Sequence, residues 1–116
     1  MESTIYLVTG QCGQYSDHVS WNIRAFRSKE AAQELAERME KIAKEAASAY
    51  SETRGCRMYL HESGEDMTFS PEWQAWAEKR AALKAEIGSM DERSADYLEE
   101  DPTYSIEEIT LQEPEA

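Results

Sequence analysis

The sequence predicts a single α+β domain: a small antiparallel sheet of about three strands, ordered β-β-α-α-β along the chain, with two long helices packed on one face. Three observations lead there. The chain opens on two β-rich segments separated by turn residues, it continues with two stretches of helical periodicity, and it closes on a Tyr-led apolar segment. Its 116 residues allow one hydrophobic core, so the domain spans 1–116, with 113–116 expected to fray.

Ile5-Tyr6-Leu7-Val8-Thr9 is rich in β-branched and aromatic residues and ends at Gly10. Apolar side chains at successive positions suit a strand central in its sheet or covered on both faces. Residues 10–18 supply turn chemistry and read as a hairpin loop, with Gly10 and Gly13 allowing positive φ angles. A second strand follows, where Val19, Trp21, Ile23 and Ala25 alternate with Ser20, Asn22 and Arg24.

Ser28 is the N-cap expected of a helix that runs to about residue 51, its apolar stripe passing through Leu35, Met39, Ile42, Ala46 and Ala49 or Tyr50. Arg54-Gly55 is a suitable stop. Residues 56–61 suit a short strand and 62–66 a loop, without settling whether this stretch joins the sheet. Ser70-Pro71-Glu72 starts a second helix, striped by Trp73, Trp76, Ala77, Leu83, Ile87 and Met90 and open to interruption at Gly88. Ser89-x-x-Glu92 has capping-box form and marks a short third helix, ended by Asp101-Pro102. Tyr104 to Leu111 reads as the last strand, and a bulge at Glu107-Glu108 would reconcile Ile106 with Ile109.

Hydrophobic residues make up 41% of the chain, too many for a disordered one, and no apolar run approaches the roughly 18–20 residues of a membrane helix. The N-terminus lacks a basic region ahead of an apolar stretch, so a soluble cytoplasmic protein with reduced cysteines is expected. The net charge of −12 is uneven: residues 1–50 hold 6 basic and 7 acidic side chains, whereas 51–116 hold 6 and 17. Within 91–116 only Arg93 offsets ten acids. Such a field repels nucleic acid and anionic membrane and favours a Lys/Arg-rich protein surface. The candidate partner-binding residues are Asp91, Glu92, Asp96, Glu99, Glu100, Asp101, Glu107 and Glu108, set against the plainer reading of a solvated face that maintains solubility.

Other constellations carry less. Cys12, His18, Cys56 and His61 are zinc-ligand types, but their spacings match no known knuckle, and no metal or other cofactor is expected. Cys12 with His18 or Asp17 lacks a third orienting group, Gly10-x-x-Gly13 lacks the lysine ending of a phosphate loop, and the Glu pairs share one environment. No catalytic residue is assigned. Trp73 and Trp76 are either core anchors or hot-spot residues for a partner, a second copy of the chain included.

Tyr6-Leu7-Val8-Thr9-Gly10, followed by Gly13-Gln14-Tyr15-Ser16-Asp17, Trp21 and the Ala-rich helix start at Ser28, resembles a group of small phage and prophage proteins. The ending, Tyr104 to Leu111, is similar to theirs. Gln14 stands where many of those loops carry an acid, and 52–100 has no counterpart. The resemblance implies action in a host cytoplasm as a counter-defence factor, such as an anti-CRISPR inhibitor that binds a nuclease complex and imitates DNA. The expected function is therefore non-enzymatic inhibition of a nucleic-acid-handling complex, such as a CRISPR effector subunit, through an acidic surface. The alternatives are a homodimeric interaction protein and a small metal-binding or cysteine-dependent enzyme built on the 10–18 loop.

Overall fold

A computed structural model of the chain describes residues 2–13, 17–55, 58–60, 67–69 and 71–112. The α+β class and the β-β-α-α-β order hold, with a short ribbon added between the long helices. Strand β1 (Glu2–Cys12) is central, flanked by β2 (Val19–Phe26) and β5 (Thr103–Gln112), both antiparallel to it. The apolar run of β1 reflects that central place. Its strand continues to Cys12, so the predicted loop at 10–18 is shorter by its first residues.

Helix α1 (Lys29–Gly55) starts where Ser28 predicts, the Ala31 amide donating to Ser28 Oγ at 3.2 Å. It touches all three strands of the sheet on one side and helix α2 (Pro71–Met90) on another. Being sandwiched, it buries a face broader than the predicted stripe: Ala32, Ala36 and Ala43 join Met39, Ile42, Ala46, Ala49 and Tyr50. Small side chains there let both neighbours approach closely. Leu83 and Ile87 of α2 complete the core with Val8, Leu98 and Tyr104.

Strands β3 (Met58–Leu60) and β4 (Met67–Phe69) pair antiparallel in a separate two-stranded sheet between α1 and α2. The sequence suits a short strand at 56–61 and leaves its place open; a strand spans Met58–Leu60 and pairs only with β4, outside the main sheet. Helix α2 passes through Gly88 without a break. A methyl added there would stand 3.3 Å from Ala95 Cβ, so the glycine lets α3 (Glu92–Asp96) lie against α2. A 3-10 turn at Leu98–Glu100, the left-handed Asp101 (φ 54°) and buried Pro102 then lead into β5.

Two sequence expectations about register are corrected. The β1–β5 pairing runs unbroken from Glu2↔Gln112 to Gln11↔Thr103, so no bulge lies at Glu107-Glu108. Ile106 and Ile109 simply occupy opposite faces, because strand neighbours alternate. The irregularity is in β2: Val8 pairs with Arg24 and Thr9 with Asn22, leaving Ile23 as the extra residue. Past it, half-buried Phe26 rather than exposed Ala25 reaches the core.

The Cα radius of gyration is 19.5 Å, against about 13 Å for a compact chain of this length. A drawn-out chain depends heavily on its few wholly buried side chains. Ile87→Ala should lower the unfolding free energy by about 2–5 kcal/mol, read as a lower denaturant midpoint at unchanged slope.

Candidate functional site: the acidic face and its anchor

The acids of 91–108 are carried by α3, the 3-10 turn and the start of β5, and one indole fastens this segment to the sheet. Gly10 stands opposite Trp21 across β1 and β2 and opposite Tyr104 across β1 and β5. Its φ is not positive; Gly13 alone of the two has that conformation, at 83°. Gly10 is required for room, since a Cβ there would meet the Trp21 ring at 2.6 Å. The ring lies over the glycine, stacks on Tyr97 (centroids 5.2 Å apart) and donates from Nε1 to Asp91 Oδ2 at 2.9 Å.

Asp91 thereby leaves the set of free partner-binding carboxylates. Its backbone is extended and its amide donates to Ile87 O, closing α2, while its side chain accepts from the Ser94 amide (2.9 Å) and Ser94 Oγ (2.6 Å), opening α3. The cap is therefore Asp91, not the predicted Ser89, whose hydroxyl donates instead to Glu86 O. A carboxylate one residue before a helix is a strong cap and suits the positive helix end. The indole bond spends a further oxygen lone pair on structure.

The remaining seven acids are exposed but differ in how firmly they are held. Glu99 pairs with Arg80 at 3.4 Å. Glu100 accepts from Cys12 Sγ at 3.5 Å. Glu92 and Asp96 lie on α3, and Asp101 sits at the left-handed corner. Glu107 and Glu108 fall on opposite faces of the sheet, opposite Leu7 and Tyr6 respectively, so they do not form one array with each other. On an edge strand, such charges also discourage pairing with another β5.

Beneath these acids buried Cys12, Ser94 and Tyr104 gather beside half-buried Asp91. The Tyr104 hydroxyl is buried without a hydrogen-bond partner, and burial pushes its phenol up to about 12, with the nearby Ser94 hydroxyl opposing and the Asp91 and Cys12 charges adding. Burial, then the Glu100 carboxylate, raises the Cys12 thiol above its ordinary value. A thiol held protonated at neutral pH is a weak nucleophile, which argues against the cysteine-dependent reading.

Cys12 is buried and His18 exposed; Cys56 and His61, the other two zinc-type residues, lie outside the described residues. Among the described residues no group of three His, Cys, Asp or Glu stands together as a metal set. No described helix is long and apolar enough to cross a membrane. On the sheet face away from the helices, Ile5, Leu7, Ile109 and Leu111 share one side, with Leu111 47% exposed. Trp73 and Trp76 are half-buried, the latter beneath Lys79 Nζ at 5.1 Å.

Sequence reasoning missed the Trp21–Asp91 bond and Tyr104's buried hydroxyl. The one available signal was Trp21 on the inward-facing side of an alternating strand, since a buried indole N–H demands an acceptor. Searches against protein-family models, curated proteins and solved structures found no match for the chain.

Asp91→Ala should cost roughly 2–3 kcal/mol, combining a lost cap with a lost charge-assisted bond, whereas Glu92→Ala should stay within about 0.5 kcal/mol; chemical denaturation of both variants separates a structural acid from a surface one. The Tyr104 phenol ionises near 10 when unfolded and near 12 when folded. Between these values unfolding releases a proton, so stability, fully present below pH 10, falls as pH rises. Tyr104→Phe should match or exceed the native stability at pH 7 and lose less, by on the order of 2 kcal/mol, across that window. Denaturation curves at pH 7, 10 and 11.5 check both statements.

Proposed function

We propose that this chain is a non-enzymatic binding protein that docks its acidic segment against a Lys/Arg-rich protein surface, and that the surface is the nucleic-acid-binding groove of a host nuclease complex of the CRISPR effector kind. The observation that supports this most is the mounting of the acids. Glu92, Asp96, Glu99, Glu100 and Asp101 are exposed on short elements that Trp21 and Asp91 tie to the sheet. Fixed carboxylates give a groove repeated negative charge at little ordering cost, which a frayed acidic tail cannot do. The resemblance of both chain ends to small phage and prophage proteins supports the choice of host complex.

The mechanism is occlusion. Opposite fields speed encounter, and phosphate backbones are excluded from the occupied groove. Because the attraction is screened by salt over about 8–10 Å, binding weakens as ionic strength rises.

Self-association is a second reading, favoured by the apolar strip of Ile5, Leu7, Ile109 and Leu111 on the open sheet face. Face-to-face packing of two copies through this strip would keep Glu107, which shares the face beside Leu7, at the rim in water.

The test is competition: purified CRISPR effector and other nuclease complexes are titrated with the chain while bound DNA is monitored, at low and high salt. Displacement at low salt that fades at high salt is expected from at least one complex. The variant Glu92→Gln, Asp96→Asn, Asp101→Asn should be roughly ten-fold weaker, at ~0.2–1 kcal/mol per charge. Undiminished displacement by this variant, or none from any complex, sinks the reading, and light scattering of the same sample reports whether two copies associate.

A further inference from the structure

We propose that the cleft between α1 and α2 is a binding site for a small organic anion, a carboxylate carried on a flat apolar body such as an aromatic ring. The cleft measures about 330 Å³ and is lined from α1 by Tyr50 and from α2 by Trp73, Ala77, Arg80, Ala81 and Lys84, with Glu99 at its rim. That volume lies at the small end of ligand pockets, where a one- or two-ring molecule fits.

Its charge is the reverse of the molecule's. In a chain of net charge −12 this cleft gathers two cations, Arg80 and Lys84, against one acid, Glu99, and because Glu99 pairs with Arg80 at 3.4 Å the surplus positive charge is that of Lys84. The long-range repulsion of an anion by the rest of the chain is screened within about 8–10 Å at physiological salt, so the charges lining the cleft dominate inside it. Lys84 follows Arg80 by one helical turn on the same face. Glu99 offsets the charge of Arg80, and an anion between Arg80 and Lys84 would engage the cation left over.

The site is held in shape before any ligand arrives. Arg80 lies over the Tyr50 ring, its Cζ 4.1 Å from the centroid, and donates from Nη1 to Thr53 Oγ1 at 3.1 Å and from Nη2 to Glu99. Thr53, buried, donates in turn to Tyr50 O at 2.9 Å. These bonds fix the guanidinium plane, which favours directed recognition of a carboxylate. Trp73 supplies flat apolar surface, the buried Tyr50 ring backs the Arg80 guanidinium from beneath, and the short side chains of Ala77 and Ala81 leave the space open. Arg80 occupies the position in the α2 stripe between Ala77 and Leu83, where a helix built only for packing would carry an apolar residue.

This inference is independent of the acidic-surface reading. Its test is an NMR titration of the whole chain with indole-3-acetate, using indole-3-acetamide and inorganic phosphate as controls. Saturable shifts at Trp73, Ala77, Arg80 and Lys84 are expected at millimolar ligand or below, weaker by roughly five-fold for the amide and for Lys84→Gln. Ala81→Leu, at an exposed helical position that tolerates leucine, should fill the cleft and abolish the shifts while leaving the fold intact. No saturable shift, equal affinity for the amide, phosphate binding as tightly as the indole acid, or binding undisturbed by Ala81→Leu would each overturn the proposal.

Discussion

The contact on which the acid-bearing segment after α2 depends is the Trp21 indole laid across Gly10. A glycine in a central strand is ordinarily a weakness, having no side chain to pack and more freedom to lose. Here the ring covers it, stacks on Tyr97 and reaches Asp91, so a single side chain joins β2, β1, the α2–α3 junction and the segment after α3. Asp91 closes one helix with its backbone and opens the next with its side chain. The chain can therefore turn sharply there and present a run of carboxylates without leaving them on a loose loop.

That arrangement divides acids that look alike in sequence. Asp91 is structural, Glu99 and Glu100 are oriented by Arg80 and Cys12, and Glu92, Asp96 and Asp101 face water. Glu107 and Glu108 guard an edge strand from its two sides. The acidic face is consequently centred on α3 and the turn after it rather than spread evenly over 91–108. Its opposite in charge, the Arg80–Lys84 cleft, shares Glu99 with it, so the two surfaces meet at one ion pair.

Much of the fold was legible because its elements carry local signals. Ser28 marked the start of α1, Pro71 the start of α2, and the unbroken apolar run of β1 its central position. The errors arose where a pattern had two physical explanations. Ile106 and Ile109 suggested a bulge because both were assigned to the core, whereas one of them lies on the open face. Gly10 suggested a turn because glycine most often serves φ, whereas here it serves space. Ser89 and Asp91 both resemble caps, and only the direction of the chain after Ile87 chooses between them.

By itself the sequence determined the class, the order of the main elements, the apolar stripes of the two long helices and the concentration of charge in the second half, all of which follow from spacing and composition along the chain. The tertiary structure alone decided which carboxylates remain available and that Arg80, Thr53 and Tyr50 meet beside Trp73 and Lys84. It also decided that the indole of residue 21 bonds to the carboxylate of residue 91. Those partners are far apart in sequence, and a hydrogen bond or stacked ring between distant residues leaves no periodic trace. It exists only once the buried faces of β1, α1 and α2 have packed and brought the remaining side chains to their places.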